Sequence, residues 1–462
     1  MKLNYFNYKK FNEKYLVTND FGNYEFLSEE EFDALIKNRV SPQTDLCRRL
    51  ERGHFIYQDS NIAFSANNKY DIRELHGQVN TATSLHIFVV TTACNLNCVY
   101  CQANNGHERP HLFMNKDTAE KAVRIALQSP AKHLCFEFQG GEPLLNFEII
   151  KHIVEIAELN KGEHRIEYNI VSNLTLLTDE MLDFFKDNHF GVSTSLDGTR
   201  TVHESNRPFL GGGSTYDKVI DSVRKVRERG IKVGAIETTT KASLPYPREI
   251  VRAYWELGFD NIFIRPLTPL GKATVNWDNI GYTPEQFLKF YREAFDEVLK
   301  INQEGTFFRE AHAEILLRKI RGQNVNYMEL RSPCGAGIGQ MAYFADGNVF
   351  TCDEGRMLFE MGNDAFLLGS VDSSYRDLIT SSTCRAVCAS SILETIPTCC
   401  DCVYQPYCGT CPVVSYAQVG DLLEKAPRGY RCRIYQGILD VLFEILFENN
   451  TETANILLAW SN

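Results

Sequence analysis

The sequence predicts an α/β protein built on a parallel β-sheet, with a small α+β unit before the sheet and a cysteine-rich region after it. Three observations support this fold class. Strands and amphipathic helices alternate from residue 85 to about residue 305, a hairpin and two helices precede them, and the regular pattern fades where cysteines concentrate. The 462 residues, with 44% hydrophobic and 23% charged side chains, are typical of a globular protein of several domains.

Charge and hydropathy restrict the partners that we expect. The net charge of −11 lacks the basic footprint of a nucleic-acid-binding protein. The first residues contain no apolar segment of the kind that a signal peptide requires. The apolar stretch at 438–447 is too short to cross a bilayer and contains Asp440 and Glu444. We therefore expect a cytoplasmic protein with neither nucleic acid nor membrane as a partner.

Residues 1–58 have the pattern of a winged-helix-like unit. A turn-rich segment separates two short apolar runs, which indicates a hairpin. Ser28, followed three residues later by Glu31, has the spacing of a capping box at a helix start. Residues 59–84 lack periodicity and are expected to form a linker. The predicted elements are strands at 15–17 and 24–27, helices after residue 28 and at 45–51, and a strand near 54–57.

Six apolar runs from residue 85 onward are predicted to be strands, because amphipathic helical segments separate them. Gly230 is placed to end one of these helices, and Pro247 and Pro284 are placed to begin two others. This alternation predicts either an open doubly wound sheet or a partial barrel, and both carry their chemistry at the carboxyl ends of the strands. The predicted strands are 85–91, 134–139, 165–172, 191–196, 231–238 and 261–266.

Cysteine usage points to metal. There are fifteen cysteines, an odd number, and thirteen of them fall in the two segments 94–101 and 334–432. In a chain without an export signal, such clustering favours metal binding over a disulfide framework.

The first cysteine cluster lies directly after a predicted strand. Cys94, Cys98 and Cys101 can hold three irons of a cubane cluster and leave the fourth iron open. A structural zinc site is the alternative, but it needs a fourth ligand, and His107 is the nearest candidate.

The C-x3-C-x2-C pattern, with Tyr100 before its last cysteine, resembles the signature of the radical SAM superfamily. Two later segments agree in order and position: Gly140 to Pro143 resembles the family's GGEP segment, and Ser195 to Gly198 resembles its SxDG segment. The resemblance implies a partial (βα)6 barrel over 85–305, with a [4Fe–4S] cluster on the three cysteines beside bound S-adenosyl-L-methionine (SAM). The residues implied in SAM binding are Tyr100, Gly140, Gly141, Glu142, Pro143, Ser195 and Asp197.

The second cysteine cluster resembles a SPASM domain, which we place at 306–462 and which ends in an amphipathic helix predicted at about 434–448. Its spacing departs from the family pattern once, with two residues instead of three between Cys408 and Cys411. The resemblance implies two auxiliary [4Fe–4S] clusters, hence three in all. The first has an open iron or is closed by Cys384, Cys388 or Cys400. A zinc ribbon formed by Cys399 and Cys402 with Cys408 and Cys411 is the alternative to auxiliary clusters. The implied ligands are Cys334, Cys352 and Cys411 for the first auxiliary cluster, and Cys399, Cys402, Cys408 and Cys432 for the second.

Several longer segments, including 85–102, 137–147 and 402–413, resemble the radical SAM maturases of the His-Xaa-Ser peptide system. This implies a ribosomally made precursor peptide as substrate, bound through its leader. The N-terminal unit would capture the leader by adding a strand to a sheet edge. An electron donor such as flavodoxin or ferredoxin is implied as a further partner.

The chemistry that the resemblance implies is reductive cleavage of SAM to a 5′-deoxyadenosyl radical, which takes hydrogen from a precursor residue. An intramolecular cross-link (C–C, ether or thioether) is the expected product. Oxidation of a Cys or Ser side chain and epimerisation at a Cα are alternatives, and an iron–sulfur electron carrier or regulator is the non-enzymatic one. Asp353 matches a proposed general base of sulfatase-maturing relatives, although an Asp beside Gly355 also fits a simple turn.

Overall fold

The computed structural model describes residues 1–57, 77–104, 110–323, 325–423, 429–448 and 450–461. Most of the predicted linker lies outside the described residues, and so does His107. Residues Gly77–Asn80 at the end of that linker form a short 3-10 turn.

The N-terminal unit contains the predicted hairpin and both predicted helices, together with strands β1 and β2, which the sequence analysis does not anticipate. Strands β2, β3 and β4 form an antiparallel sheet, and β1 pairs with β5. Ser28 and Glu31 make the predicted capping box, with each side chain bonded to the other residue's backbone N–H. The predicted strand near residues 54–57 is shorter than expected, because only its last two residues pair. The elements are β1 Lys2–Leu3, β2 Asn7–Phe11, β3 Lys14–Thr18, β4 Tyr24–Leu27, α1 Glu29–Ile36, α2 Asp45–Arg52 and β5 Ile56–Tyr57.

All six predicted strands of the central region are present, and each pairs in parallel with its neighbour along the chain. The helices between them start and stop close to the predicted residues. The elements are β6 Leu85–Thr91, α3 Lys116–Ala126, β7 His133–Gly140, α4 Phe147–Asn160, β8 Arg165–Ser172, α5 Asp179–Asp187, β9 Gly191–Ser195, α6 Arg200–Asn206, α7 Tyr216–Glu228, β10 Val233–Thr238, α8 Pro247–Glu256, β11 Asn261–Arg265, α9 Lys272–Val275, α10 Trp277–Ile280 and α11 Pro284–Gln303.

The C-terminal region contains more regular structure than the sequence pattern suggests. Parallel pairing continues past residue 305, where β12 joins β11, and the final amphipathic helix is followed by one more. No helix among the described residues is long and apolar enough to cross a membrane. The elements are β12 Arg309–Glu310, α12 Ala311–Ile320, β13 Gln340–Tyr343, β14 Asn348–Phe350, α13 Asp353–Glu360, β15 Leu367–Ser370, α14 Tyr375–Ile379, α15 Ser382–Ser390, α16 Pro412–Val419, α17 Tyr430–Glu448 and α18 Thr451–Trp460.

One sheet joins the central and C-terminal regions. Within the described residues it has ten strands, in the order β12-β11-β10-β9-β8-β7-β6-β13-β14-β15. Strand β13 pairs in parallel with β6, whereas β14 and β15 continue the sheet antiparallel. The cysteine-rich region is therefore built directly onto the edge of the sheet beside β6, the strand that leads into the first cysteine cluster.

The N-terminal sheet packs on helix α17. Tyr24 lies with its ring centroid 5.3 Å from that of Phe443, and Phe26 lies 5.2 Å from Phe447. Aromatic contacts of this kind add to the burial of apolar area. The N-terminal unit is thus docked on the cysteine-rich region.

Candidate active site

The first cysteine cluster occupies the loop after β6, at the carboxyl edge of the parallel strands. Cys94, Cys98 and Cys101 line one cavity of about 580 Å³. The loop is also held from its far side, because the Lys272 N–H donates to the Cys101 carbonyl at 2.9 Å. Gly271 permits this approach: a Cβ there would lie 2.4 Å from the same carbonyl oxygen.

The environment of the three thiols is buried. Burial raises the pKa of Cys94 to about 12 and that of Cys98 to about 11, and it also raises the pKa of Cys101. Without a metal the thiols are therefore protonated at neutral pH, and a metal ion must displace their protons. Soft thiolates in this number, beside an open cavity, are the donor set of an iron–sulfur cluster.

Gly140, the last residue of β7, and Gly141, which follows it, form a second wall of the cavity. The Gly141 N–H donates to the Thr91 carbonyl at 2.9 Å, and the Glu142 N–H donates to the Ala93 carbonyl at 2.7 Å. A Cβ on Gly140 would lie 2.2 Å from the Thr91 carbonyl oxygen, and one on Gly141 would lie 2.3 Å from that of Ala93. Only glycine allows β7 to approach the cysteine loop so closely, and the resulting cradle leaves backbone facing the cavity.

Glu142 turns away from the cavity. Its fully buried carboxylate accepts hydrogen bonds from Ser172 Oγ at 2.7 Å and from the Asn173 N–H at 2.8 Å. Burial raises its pKa to about 7 against the effect of these bonds. Pro143, the next residue, begins the short turn Pro143–Asn146. Glu142 therefore ties the ends of β7 and β8 together, and its partners Ser172 and Asn173 line the cavity in its place.

Ser195 lines the same cavity, but Asp197 lies behind its wall. Asp197 is fully buried and accepts hydrogen bonds from Tyr100 Oη at 2.7 Å, Arg207 Nε at 3.1 Å and the Thr238 N–H at 3.2 Å. The Arg207 guanidinium lies 5.0 Å from the centroid of the Tyr100 ring. Asp197 thus positions two cavity residues, Tyr100 and Arg207, and does not itself face the space that a ligand would occupy.

Comparison with known proteins decides the identity of this site. Residues 88–240 match the family model of the Radical SAM superfamily. The matched residues include the cysteine loop, the glycine cradle, and Asp197 with its partners Tyr100 and Arg207. This chain contains a radical SAM domain, and it is an enzyme of that type. The residues found here fit the [4Fe–4S] cluster and SAM of the superfamily: the thiols offer the cluster ligands, and the cradle leaves room for SAM beside them.

Three known proteins extend the radical SAM comparison beyond this domain. The cysteine-type anaerobic sulfatase-maturating enzyme of Clostridium perfringens (strain 13) is 27% identical over 282 residues, 58% of this chain and 74% of the relative. The structure of native anSMEcpe with bound AdoMet has a TM-score of 0.68 at 22% identity and covers 81% of this chain and all of that one. Streptococcus suis SuiB bound to its precursor peptide SuiA has a TM-score of 0.56 at 16% identity, covering 92% and 98%. The two structural likenesses establish the fold.

Beyond the radical SAM site, the structure gathers the three cysteines expected for the first auxiliary cluster. Cys334, Cys352 and Cys411 are buried in one apolar cluster with Phe366 and Val413. Cys352 also caps helix α13, where its Sγ accepts the Gly355 N–H at 3.3 Å. Folding thus brings Cys334 and Cys352 into one cluster with Cys411, although both precede Cys411 by at least 59 residues.

The four cysteines expected for the second auxiliary cluster line another cavity, of about 860 Å³. This cavity lies between β2 and α17 and also contains Lys9 and Arg431. Within the described ranges, no three His, Cys, Asp or Glu side chains converge closely enough to hold a single metal ion. The members of this set are Cys399, Cys402, Cys408 and Cys432.

Asp353 lines the radical SAM cavity as the first residue of α13. Its Oδ1 lies 2.7 Å from Arg356 Nε, and Arg356 Nη1 lies 2.7 Å from Glu360. The carboxylate is thus paired with a guanidinium, which the sequence did not indicate. Helix α13 lies between the two groups of cysteines. Its N-cap is Cys352, and the charges of Glu360 and Arg356 near its other end act on Cys101.

We expect Gly141→Ala to lower the affinity for SAM about tenfold or more, which corresponds to about 1.4 kcal/mol. The added methyl group would meet the Ala93 carbonyl and push the cradle off the cysteine loop. Gly234→Ala is the matched control, because a Cβ on this glycine of β10 meets no atom within 4 Å. Equilibrium binding of SAM to the reconstituted enzyme makes the measurement. Equal affinities of the two variants would show that the cradle does not shape the SAM site.

Proposed function

We propose that this radical SAM enzyme matures a ribosomally synthesised peptide by installing an intramolecular cross-link. The observation that carries the proposal is the composition of one cavity. It is lined both by the three thiols of the radical SAM loop and by Asp353 and Glu354, the first two residues of helix α13, whose N-cap is Cys352. A substrate in this cavity would lie between the place where hydrogen is abstracted and the place where an electron is accepted. Peptide substrates are indicated by the similarity to SuiB, solved with its precursor peptide.

Three [4Fe–4S] clusters are part of this proposal. When bound, the radical SAM cluster supplies the electron that cleaves SAM to a 5′-deoxyadenosyl radical, the species that removes hydrogen from the peptide. The electron would come from a flavodoxin or ferredoxin. The protein's own contribution is to orient SAM between the glycine cradle and Ser195, and to exclude water from the cavity. The proposed ligands are those assigned above to the radical SAM site and to the two auxiliary sets, with Cys334, Cys352 and Cys411 forming the first auxiliary set.

Cross-link formation also releases a proton, and Asp353 is the base that we propose for it. Its carboxylate borders the cavity and is held by Arg356, so its position relative to a bound peptide is fixed. Glu137 of strand β7 lines the same cavity, and burial and the charge of Asp353 raise the pKa of its carboxyl group.

Asp353→Asn is expected to keep 5′-deoxyadenosine formation and to reduce the yield of modified peptide at least about a hundredfold, the usual contribution of a general base. Glu360→Gln is the matched control, since it removes the other carboxylate partner of Arg356 without facing the cavity. Product yield and 5′-deoxyadenosine are quantified together by liquid chromatography and mass spectrometry. If both variants lose product equally, Asp353 acts only as a partner of Arg356.

The N-terminal unit is proposed to bind the leader of the precursor. Strands β2 and β4 are the outer strands of its sheet and, within the described residues, each pairs only with β3. Strand addition at such an edge captures extended peptides. The unit is also fastened to the cysteine-rich region: Asn7 Nδ2 donates to the Cys402 carbonyl at 3.2 Å, and Thr18 Oγ1 donates to the Val403 carbonyl at 2.7 Å. A leader bound here would be held close to the second auxiliary set.

Saturating leader peptide is therefore expected to slow amide hydrogen exchange in β2 or β4, because an added strand gives their outward N–H groups a partner. Hydrogen–deuterium exchange of the full-length enzyme, read by mass spectrometry, locates the protection. Two controls accompany the measurement. A scrambled leader peptide is expected to slow exchange nowhere in the N-terminal sheet, and the leader itself is expected to leave exchange in strands β9 and β10 of the central sheet unchanged. Protection that appears elsewhere but not in residues 7–27 would refute leader capture by this sheet.

Oxidation of a Cys or Ser side chain is the second candidate function. It is favoured by the 27% identity to the cysteine-type anaerobic sulfatase-maturating enzyme. The same cavity and the same base would serve this reaction, in which the substrate radical loses an electron and a proton from one residue and joins no second residue. The mass and fragmentation of the product distinguish the two reactions.

A further inference from the structure

Helix α15 presents one face to the first auxiliary set. Cys384, Val387, Cys388 and Ser391 follow one another at intervals of three, one and three residues, which places them on a single side of a helix. Val387 is 1% exposed and packs in the same apolar cluster as Cys334, Cys352 and Cys411. Two thiols outside the expected ligand sets, Cys384 and Cys388, therefore lie on the same helix face as the residue that packs against three thiols inside them.

Further contacts fix this face at both ends. Ser391 Oγ accepts the Cys334 N–H at 2.9 Å. At the other end, a Cβ on Gly337 would lie 2.7 Å from Cys384 Sγ, so this thiol abuts the Gly337 backbone. The Gly337 N–H in turn donates to the carbonyl of Thr351, the residue before Cys352, at 2.7 Å. These contacts fix the position of helix α15 relative to the segments that carry Cys334 and Cys352, two of the three expected ligands.

A buried guanidinium lies beside the same thiols. Arg331 is 2% exposed, and its Nε donates to the Pro333 carbonyl at 3.0 Å. Its Nη2 is buried without a hydrogen-bond partner in the described part of the chain. The charge of Arg331 acts on both Cys334 and Cys388. A buried, unpartnered N–H of a cation requires an acceptor, and a cluster bearing thiolates carries the negative charge that would match it.

We propose that Cys388 is the fourth ligand of the first auxiliary cluster. This inference rests on the proposed function, in which Cys334, Cys352 and Cys411 hold that cluster. Cys384, hydrogen-bonded to the Cys388 thiol, orients it, and Arg331 offsets the charge of the four-thiolate cluster. Cys400 is not suited to the role because of where it lies. Asn7 Nδ2 donates to the carbonyls of both Cys400 and Cys402, which places Cys400 beside the second cysteine set.

A closed first auxiliary cluster has a consequence for the reaction. With four cysteine ligands, no iron of the cluster remains free to bind the substrate peptide. The cluster would then act only as an electron acceptor, and the peptide would be held by protein contacts alone. The cavity next to Asp353 would provide those contacts.

Ligand exchange tests the assignment without measuring activity. The starting protein is the full chain with Cys94, Cys98 and Cys101 replaced by alanine, so that only auxiliary clusters contribute to the electron paramagnetic resonance spectrum. Added imidazole, which binds an open iron, is expected to leave the spectrum of this reduced protein unchanged. With Cys388→Ala added, imidazole is expected to shift the signal of one cluster, while Cys384→Ala leaves the protein insensitive to imidazole.

Each other outcome overturns a distinct claim. A response to imidazole while Cys388 is intact would show an open iron, and a response produced by Cys384→Ala alone would assign the ligand to Cys384. An unchanged, insensitive spectrum in Cys388→Ala would also refute the proposal. Absence of auxiliary iron from the starting protein would overturn the auxiliary-cluster part of the proposed function itself, and with it this inference.

Discussion

Replacing Cys94, Cys98 and Cys101 together by alanine is expected to abolish SAM cleavage completely. The variant should also lose about four of about twelve irons per chain, the content of one cluster out of three. The reason is that these thiols line the cavity proposed for SAM, and no other cysteine in the described part of the chain lines it. Iron content and 5′-deoxyadenosine formation are measured after anaerobic reconstitution.

Cys47→Ala is the control for this prediction. Cys47 is buried in the core of the N-terminal unit, away from both cysteine clusters, so its loss should leave iron content and SAM cleavage unchanged. A triple variant that still cleaves SAM would refute the assignment of the radical SAM site.

Arg207→Gln is expected to cost about 3–5 kcal/mol of unfolding free energy, because it leaves the buried Asp197 carboxylate without its cation. Although burial opposes the charge of Arg207, Asp197 keeps the pKa of the guanidinium above its ordinary value. Glu237 lies nearby, and burial and the charge of Asp197 both raise its pKa. SAM affinity should fall as well, since Arg207 lines the cavity and contacts Tyr100. Denaturant unfolding and SAM binding provide the two measurements.

Arg200→Gln is the matched control, because Arg200 also pairs with an aspartate, Asp217, but at the exposed surface. Exposed ion pairs contribute little, and no measurable change in stability is expected. Comparable losses in the two variants would mean that burial of the Asp197–Arg207 pair is not what makes it important.

The sequence was most informative where periodicity and spacing have a direct structural meaning. The six parallel strands of the central region were predicted because short candidate strands alternate there with amphipathic helical segments. The cysteine loop and the glycine cradle were found from short motifs, and the structure brings them together at one cavity. The resemblance to a SPASM domain implied two sets among the later cysteines; the three members of the first lie in one apolar cluster, and the four members of the second line one cavity.

Other features left no pattern to detect. Strands β13 to β15 have three or four residues each, which is too short for a recognisable period. Arg207 and Asn173 reach the cavity only through folding: Arg207 pairs with a buried carboxylate, and Asn173 follows β8. Polar residues at the carboxyl end of a predicted strand were the available signal for Asn173. Asp197 was expected to contact SAM, but burial and four hydrogen-bonding neighbours give it a positioning role instead.

The central claim, that the enzyme cross-links a peptide, is tested most directly by the mass of its product. The reconstituted enzyme is incubated anaerobically with SAM, a reductant and, in turn, each short peptide encoded by the open reading frames that neighbour its gene, and each peptide is analysed by tandem mass spectrometry. We expect 5′-deoxyadenosine together with one peptide that has lost two hydrogen atoms and no longer fragments between the two joined residues. A peptide of unchanged mass, or one oxidised at a single side chain and fragmenting throughout, would contradict the claim.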